Sequence, residues 1–178
     1  MDSINKNQPE ENHQDLLDTA ATERIKGMVK QAKSCFFCTS KTIGPSMGVR
    51  PMSIQKTDED GTLWFLSPND SYKNAEIEED DSVKLYFQGS AHSDFLYLEG
   101  HASITNDPSL IHELWEPVLK TWFTEGENDP RISVIKFEPE TGYYWDTKHG
   151  NVIAGAKMLW GAMVGKTLDD SIEGKLNV

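Results

Sequence analysis

Val49-Arg50-Pro51-Met52-Ser53 and Leu63-Trp64-Phe65-Leu66-Ser67 stand on either side of the turn Asp58-Glu59-Asp60-Gly61. The first run reads as a strand continuing to Thr57, the second as a strand from Thr62 to Ser67. Acidic residues and glycine between two such runs signal a hairpin. A hairpin starts an antiparallel sheet, because parallel neighbours need a longer crossover. The hairpin is followed by Ser71-Tyr72-Lys73. Hydroxyls, one Arg and a Ser-x-Lys pair fall within a few turns of chain, and they form a plausible cradle for a phosphate. Met52 and Leu66 lie between them as apolar walls for a flat ring.

Working outward, the same β pattern recurs. Ser34-Cys35-Phe36-Phe37-Cys38-Thr39 reads as a buried strand over Cys35–Thr39. Val83–Gln88 and Phe95–Thr105 are two more, and Gly100 inside the longer one suggests a bulge or close contact. Ile132–Glu138 and Gly142–Thr147 read as two last strands. Helices flank this set. One runs from Asp15 or Asp18 to Lys33, with Ile25, Met28, Val29 and Ala32 on one stripe. A short one covers Tyr72–Glu78. A third starts at Asp107-Pro108, with Asp as N-cap and Pro in the first turn. Its stripe, Ile111, Leu114, Trp115, Val118, Leu119, Trp122 and Phe123, predicts a long amphipathic helix kinked at Pro117. Near the end, a short helix is expected over Ala156–Val164. Strands and helices do not alternate, which excludes a doubly wound parallel sheet. The expected fold is mainly β (α+β): an antiparallel barrel of six or seven strands with peripheral helices.

The chain has 178 residues, enough for one domain with a real core. Residues 1–14 are polar and without period, and read as a disordered tail. The domain is expected over 15–148, with 149–178 as a C-terminal extension. The net charge of −12 argues against nucleic acid and against anionic membrane surfaces as partners. No apolar run is long enough to span a bilayer. Met1 to Gln8 lacks an apolar core, so it does not read as a secretory signal. The expected compartment is the cytoplasm.

Several chemistries lack their signatures. Cys35 and Cys38 form a CxxC, but on a strand residues i and i+3 point to opposite faces, so they read as core cysteines. The five histidines, His13, His92, His101, His112 and His149, show none of the HxH, HxxxH or HExxH spacings, and no metal site is expected. There is no GxSxG, GxGxxG or GxxxxGK[ST]. No catalytic acid or base can be named. The phosphate cradle therefore carries the functional reading: Arg50, Ser67, Ser71 and Lys73 as donors, with Met52 and Leu66 near the ring. Taken singly, Arg50 and Lys73 read as surface charges on strand and helix ends, and only their combination favours a ligand. Together they would also suit a sugar phosphate. Trp145 ends the run Gly142-Tyr143-Tyr144-Trp145, where its ring is placed either to stack on a ligand or to pack on the sheet.

In order and spacing, these segments resemble the general stress protein 26 branch of the pyridoxamine-phosphate-oxidase-like, flavin-binding split-barrel proteins. The resemblance covers roughly residues 20–148. It rests on Arg50-Pro51-Met52, Leu63 to Ser67, Ser71 and Lys73 leading into Glu76-Ile77, and Leu96-Tyr97-Leu98-Glu99-Gly100-His101-Ala102. Further marks are Leu114-Trp115-Glu116-Pro117, Trp122-Phe123-Thr124-Glu125-Gly126 before Asp129-Pro130, and Tyr144-Trp145-Asp146. It implies a six-stranded split barrel and a homodimer with two FMN sites at the subunit interface, FAD being the alternative cofactor. Arg50, Pro51 and Met52, with Ser71 and Lys73, would hold ribityl and phosphate. The strand at Leu66 and Ser67 would line the ring, and Trp145 would reach the partner subunit's site. The implied function is a stress-related flavoprotein, an oxidoreductase passing electrons between a nicotinamide cofactor and an unknown acceptor. The rival is a non-catalytic flavin-storing or flavin-sensing module. Vitamin B6 phosphate oxidation is disfavoured. The oxidases of this family have an Arg-x-His motif after the tryptophan, where this chain has Thr147-Lys148-His149-Gly150-Asn151-Val152. They also have a second basic residue where this chain has Tyr72.

Overall fold

The computed structural model describes residues 12–91, 94–147 and 171–178. In chain order the elements are β1 (Leu16–Leu17), α1 (Asp18–Ala32), β2 (Ser34–Thr39), β3 (Val49–Ser53), β4 (Lys56–Thr57), β5 (Leu63–Pro68) and α2 (Tyr72–Glu79). Then come β6 (Ser82–Gln88), β7 (Phe95–Thr105), α3 (Pro108–Leu114), two 3-10 turns (Pro117–Thr121 and Gly126–Asn128), β8 (Ile132–Thr147) and β9 (Ser171–Asn177). The strands form one sheet in the order β1-β9-β8-β7-β6-β2-β3, with β5 on the first half of β8 and β4 on β5. All pairs are antiparallel except β1 with β9. The curled sheet does not close, because β3 and β5 are not paired. This is a split barrel, and β2, β3, β5, β6, β7 and β8 are its six main strands.

β8 is the spine. Its first half pairs with β5 on one side, its second half with β9, and β7 runs along the other edge of both halves. The sequence expectation of two strands here is therefore corrected to one. The register shifts between Glu99 and Gly100, the bulge that Gly100 suggested. A Cβ at Gly100 would lie 2.0 Å from the Glu138 carbonyl oxygen, so only glycine fits.

The main core joins α1 to the inner face of the sheet, with Ile25, Phe37, Phe65, Leu85, Leu98 and Phe137 fully buried. A second cluster packs Leu66, Ile111, Leu114, Leu119, Phe123, Ile132 and Val134 under α3 and the turn after it. Phe37 and Phe65 meet edge to face at 5.4 Å. Cys35 is buried, and burial pushes its thiol up to about 12, which leaves it unreactive.

Other expectations change. The strand expected over Val49–Thr57 breaks at Ile54-Gln55, where Ile54 N donates to Lys33 O and Gln55 N to Trp64 O. The long third helix ends at Leu114. Asp107 caps its start by accepting from Ser109 N at 2.8 Å, but Pro117 drives the preceding residues extended, and Glu116 lies at φ −121°, ψ 142°. Only part of the predicted stripe is buried, since Val118 and Trp122 face solvent. β9, within the expected 149–178 extension, pairs with β8 at seven positions and belongs to the same sheet. The helix expected over Ala156–Val164 lies outside the described residues, as do His92 and His149. Among the described residues, no helix is long and apolar enough to cross a membrane.

Candidate functional site

The cradle forms where β5 turns into α2. Ser67 ends the buried part of β5, and Ser71 caps α2, its Oγ accepting from Asn74 N at 3.3 Å. The cap sets the first turn of α2 so that Lys73, Asn74, Glu76 and Ile77 all face inward. Lys73 is 5% exposed, and its Nζ donates to Ser67 Oγ. Ser67 Oγ donates to Asn74 Oδ1 at 2.7 Å and lies 3.2 Å from Ser71 Oγ. Asn74 Nδ2 donates to Ser133 Oγ at 2.7 Å, and Ser133 Oγ donates to Ser67 O at 2.8 Å. β8 thus locks the turn from below.

A second network adjoins it. Arg50 points inward from β3, its Nη1 donating to Thr39 Oγ1 at 2.9 Å and its Nη2 to Glu76 Oε2 at 2.5 Å. Glu76 is 0% exposed. Its other oxygen accepts from Ile43 N at 3.0 Å, and Oε2 also accepts from Thr39 Oγ1 at 2.7 Å. Burial alone would raise this carboxyl. The donors Ser46, Thr39, Ile43 N and Arg50 outweigh it and hold the group down to about 2.

The two networks differ in charge. Arg50 is matched by Glu76, whereas Lys73 has no carboxylate within salt-bridge distance among the described residues. Burial first, then the Arg50 charge, push the Lys73 ammonium down to about 8, with Glu76 opposing. Such a site is short of one anion. Ser71 and Arg50 keep part of their surface in solvent.

The structure brings together Arg50, Ser67, Ser71 and Lys73, and leaves the other anticipated residues apart from that network. Pro51 points to the outer face and is exposed, while Met52 packs against the main core. Leu66 is buried in the second cluster beside Ile111 and Leu114, so its side chain is not an open wall. Trp145 stands on β8, 43% exposed, its ring 4.6 Å from Tyr143. Along the sheet, β7, β6 and β2 separate it from β3, four strand spacings or about 19 Å. Sequence reasoning passed over Thr39, Ser46, Asn74 and Ser133, and treated Glu76 only as part of a pattern. Ser71-x-x-Asn74, with Glu76 three residues beyond Lys73 on one helix face, carried the available signal.

Residues 20–169 match the pyridoxamine 5'-phosphate oxidase-like family. The chain belongs to that family. Protein bli-3 of Neurospora crassa is 29% identical over 126 residues, 66% of this chain, and the chain spans 60% of that relative's length. Among solved structures of family relatives, general stress protein 26 of Bacillus anthracis str. Sterne is 27% identical, with a TM-score of 0.59 over 69% of this chain and 92% of that one. A protein described as general stress protein 26 from Jannaschia sp. CCS1 shares the fold at TM-score 0.70, 18% identity, 88% of this chain and 98% of its own. The general stress FMN/FAD binding protein of Xanthomonas citri does so at TM-score 0.58, 22% identity, 68% and 84%.

Proposed function

We propose that this chain is a flavoprotein that binds FMN, with FAD as the alternative, and that the Lys73 cradle takes the phosphate. The observation that carries the reading is the buried Lys73 ammonium, which donates to the Ser67 hydroxyl and is without a carboxylate partner among the described residues. A phosphate is the anion such a set of donors suits, and the Xanthomonas citri relative is described as an FMN/FAD binding protein. The residues present fit the group. Lys73, Ser71 and Ser67 would hold phosphate, with Arg50 lending positive charge from its Glu76 pair. A bound flavin supplies one- and two-electron redox chemistry. The protein's own part is to position: Ser133 and Asn74 fix the turn, and Glu76 fixes Arg50. An oxidoreductase role with a nicotinamide donor, a stress-linked role in keeping with the relatives' names and a cytoplasmic setting belong to the same proposal.

The partner we propose is a second copy of the chain. On the outer face of the sheet, cross-strand registers align Pro51, Phe36, Tyr86, Tyr97 and Tyr143 in one row, with Trp145 in the next. Phe36 is 58% exposed. A continuous aromatic row on a sheet face is the kind of surface proteins cover. A second copy seated there would bring its own Trp145 toward the edge strand β3.

The test is a visible absorption spectrum of the purified protein, followed by FMN titration read by fluorescence quenching. Saturable binding near one FMN per chain, weakened by Lys73→Ala, is the expected result. A colourless protein that ignores FMN overturns the reading. Bound flavin with negligible turnover of nicotinamide donors would assign the protein to flavin storage or sensing.

A further inference from the structure

A groove of about 720 Å³, apart from the cradle, runs between α1, the β3–β4 link and the first 3-10 turn. Lys26, Lys30, Lys33 and Lys56 line it, against Glu116 as the one acidic lining residue. This is a local reversal in a chain of net charge −12. Lys26 is matched by Glu23 and Glu59, and Lys56 by Asp58 and Glu113. Lys30 and Lys33 are exposed and have no carboxylate partner among the described residues. Both stand at the carbonyl end of α1, where cations are favoured, and that explains their presence. It does not explain the opposite wall. There Trp122 is 61% exposed at the rim of a concave, largely apolar surface. Its ring and two unmatched ammonium groups face one volume, which lies within the range of small-molecule sites.

We infer that this groove binds a planar aromatic anion: a flat ring against Trp122 and Val118, with its carboxylate, sulfonate or phosphate on Lys30 and Lys33. The stacking surface supplies affinity for any flat ring. The two ammonium groups select the charged one. The inference does not depend on the flavin reading, since it uses none of the cradle residues.

The probe is 2-naphthoate, compared with its neutral amide, titrated into the full chain by calorimetry. Saturable binding of about one naphthoate per chain is expected, with the amide at least tenfold weaker. The double variant Lys30→Gln, Lys33→Gln should weaken naphthoate tenfold and leave the amide unchanged, while Trp122→Ala weakens both. Both changes lie at exposed positions, and circular dichroism confirms that the variants fold. Equal binding of acid and amide overturns the inference, as does absence of binding. Loss of binding in Lys73→Ala rather than in the groove variants places the anion in the cradle and also overturns it. So does loss of self-association in Trp122→Ala, read by sedimentation, which would mean that a second copy covers the groove.

Discussion

Arg50 reaches from β3 across the open side of the barrel to Glu76 on α2, Nη2 to Oε2 at 2.5 Å, with the carboxylate fully buried. Glu76→Gln leaves the guanidinium without its counter-charge, and removing one partner of such a pair costs roughly 3 kcal/mol. The Glu76 carboxyl sits at about 2 in the fold against 4.5 as its ordinary value. Its contribution is therefore complete above about pH 4.5 and is lost as pH falls toward 2. Urea unfolding between pH 5 and 2 should show that slope in the parent, and a flatter one in the variant.

Lys73 behaves in the opposite sense. Its ammonium is pushed down to about 8 from 10.5. Between those values the unfolded chain holds a proton that the folded one has lost, so stability rises with pH across the window, and the penalty is complete below about pH 8. It amounts to about 3 kcal/mol at most. Lys73→Met should stabilise the flavin-free protein at pH 7 and flatten its stability between pH 8 and 10. The same change should weaken FMN binding. Thermal melts with and without FMN test both halves.

At Gly100 the neighbouring backbone leaves no room for a side chain. A Cβ would lie 2.0 Å from the Glu138 carbonyl oxygen, against main chain that cannot swing away. Gly100→Ala should lower stability by about 3 kcal/mol or more, a melting-temperature fall of roughly 10 °C.

The exposed aromatic row gives a prediction about assembly. Phe36→Glu places a charge in the row, beside its β3 end, without touching the core. Sedimentation should show a folded single copy for the variant and, on the proposed assembly, a dimer for the parent. Flavin affinity should fall at least tenfold if, as proposed, the second copy brings its Trp145 toward β3.

The barrel was legible in the sequence because each main strand has its own composition signal. The turn Asp58 to Gly61, the glycine bulge at Gly100 and the Asp107-Pro108 helix start all hold in the structure. What misled were local patterns overridden from elsewhere. The helical stripe through Trp122 is genuine in spacing, but Pro117 stops the helix before it can be used. The break implied between Glu138 and Gly142 is carried inside one strand, because β8 bulges there, with Glu140 as the extra residue opposite Glu99 and Gly100 of β7. β9 lies in the stretch expected only as an extension, and its place beside β8 makes it a strand. In the cradle, Lys73 and Ser71 were visible, being close in sequence. Thr39, Ser46 and Ser133 were not, since single hydroxyl residues carry no pattern until the fold gathers them.

The Ser133–Asn74 hydrogen bond joins residues 59 positions apart. The hairpins β2–β3 and β6–β7 join near neighbours and can form early, whereas the pairing of β5 with β8 must await closure of a long loop. The turn that carries Ser67, Ser71 and Lys73 is tied to β8 through that late pairing. A refolding chain should therefore acquire most of its secondary structure before it acquires the proposed anion site. Ligand capture then reports the final step of folding rather than the first.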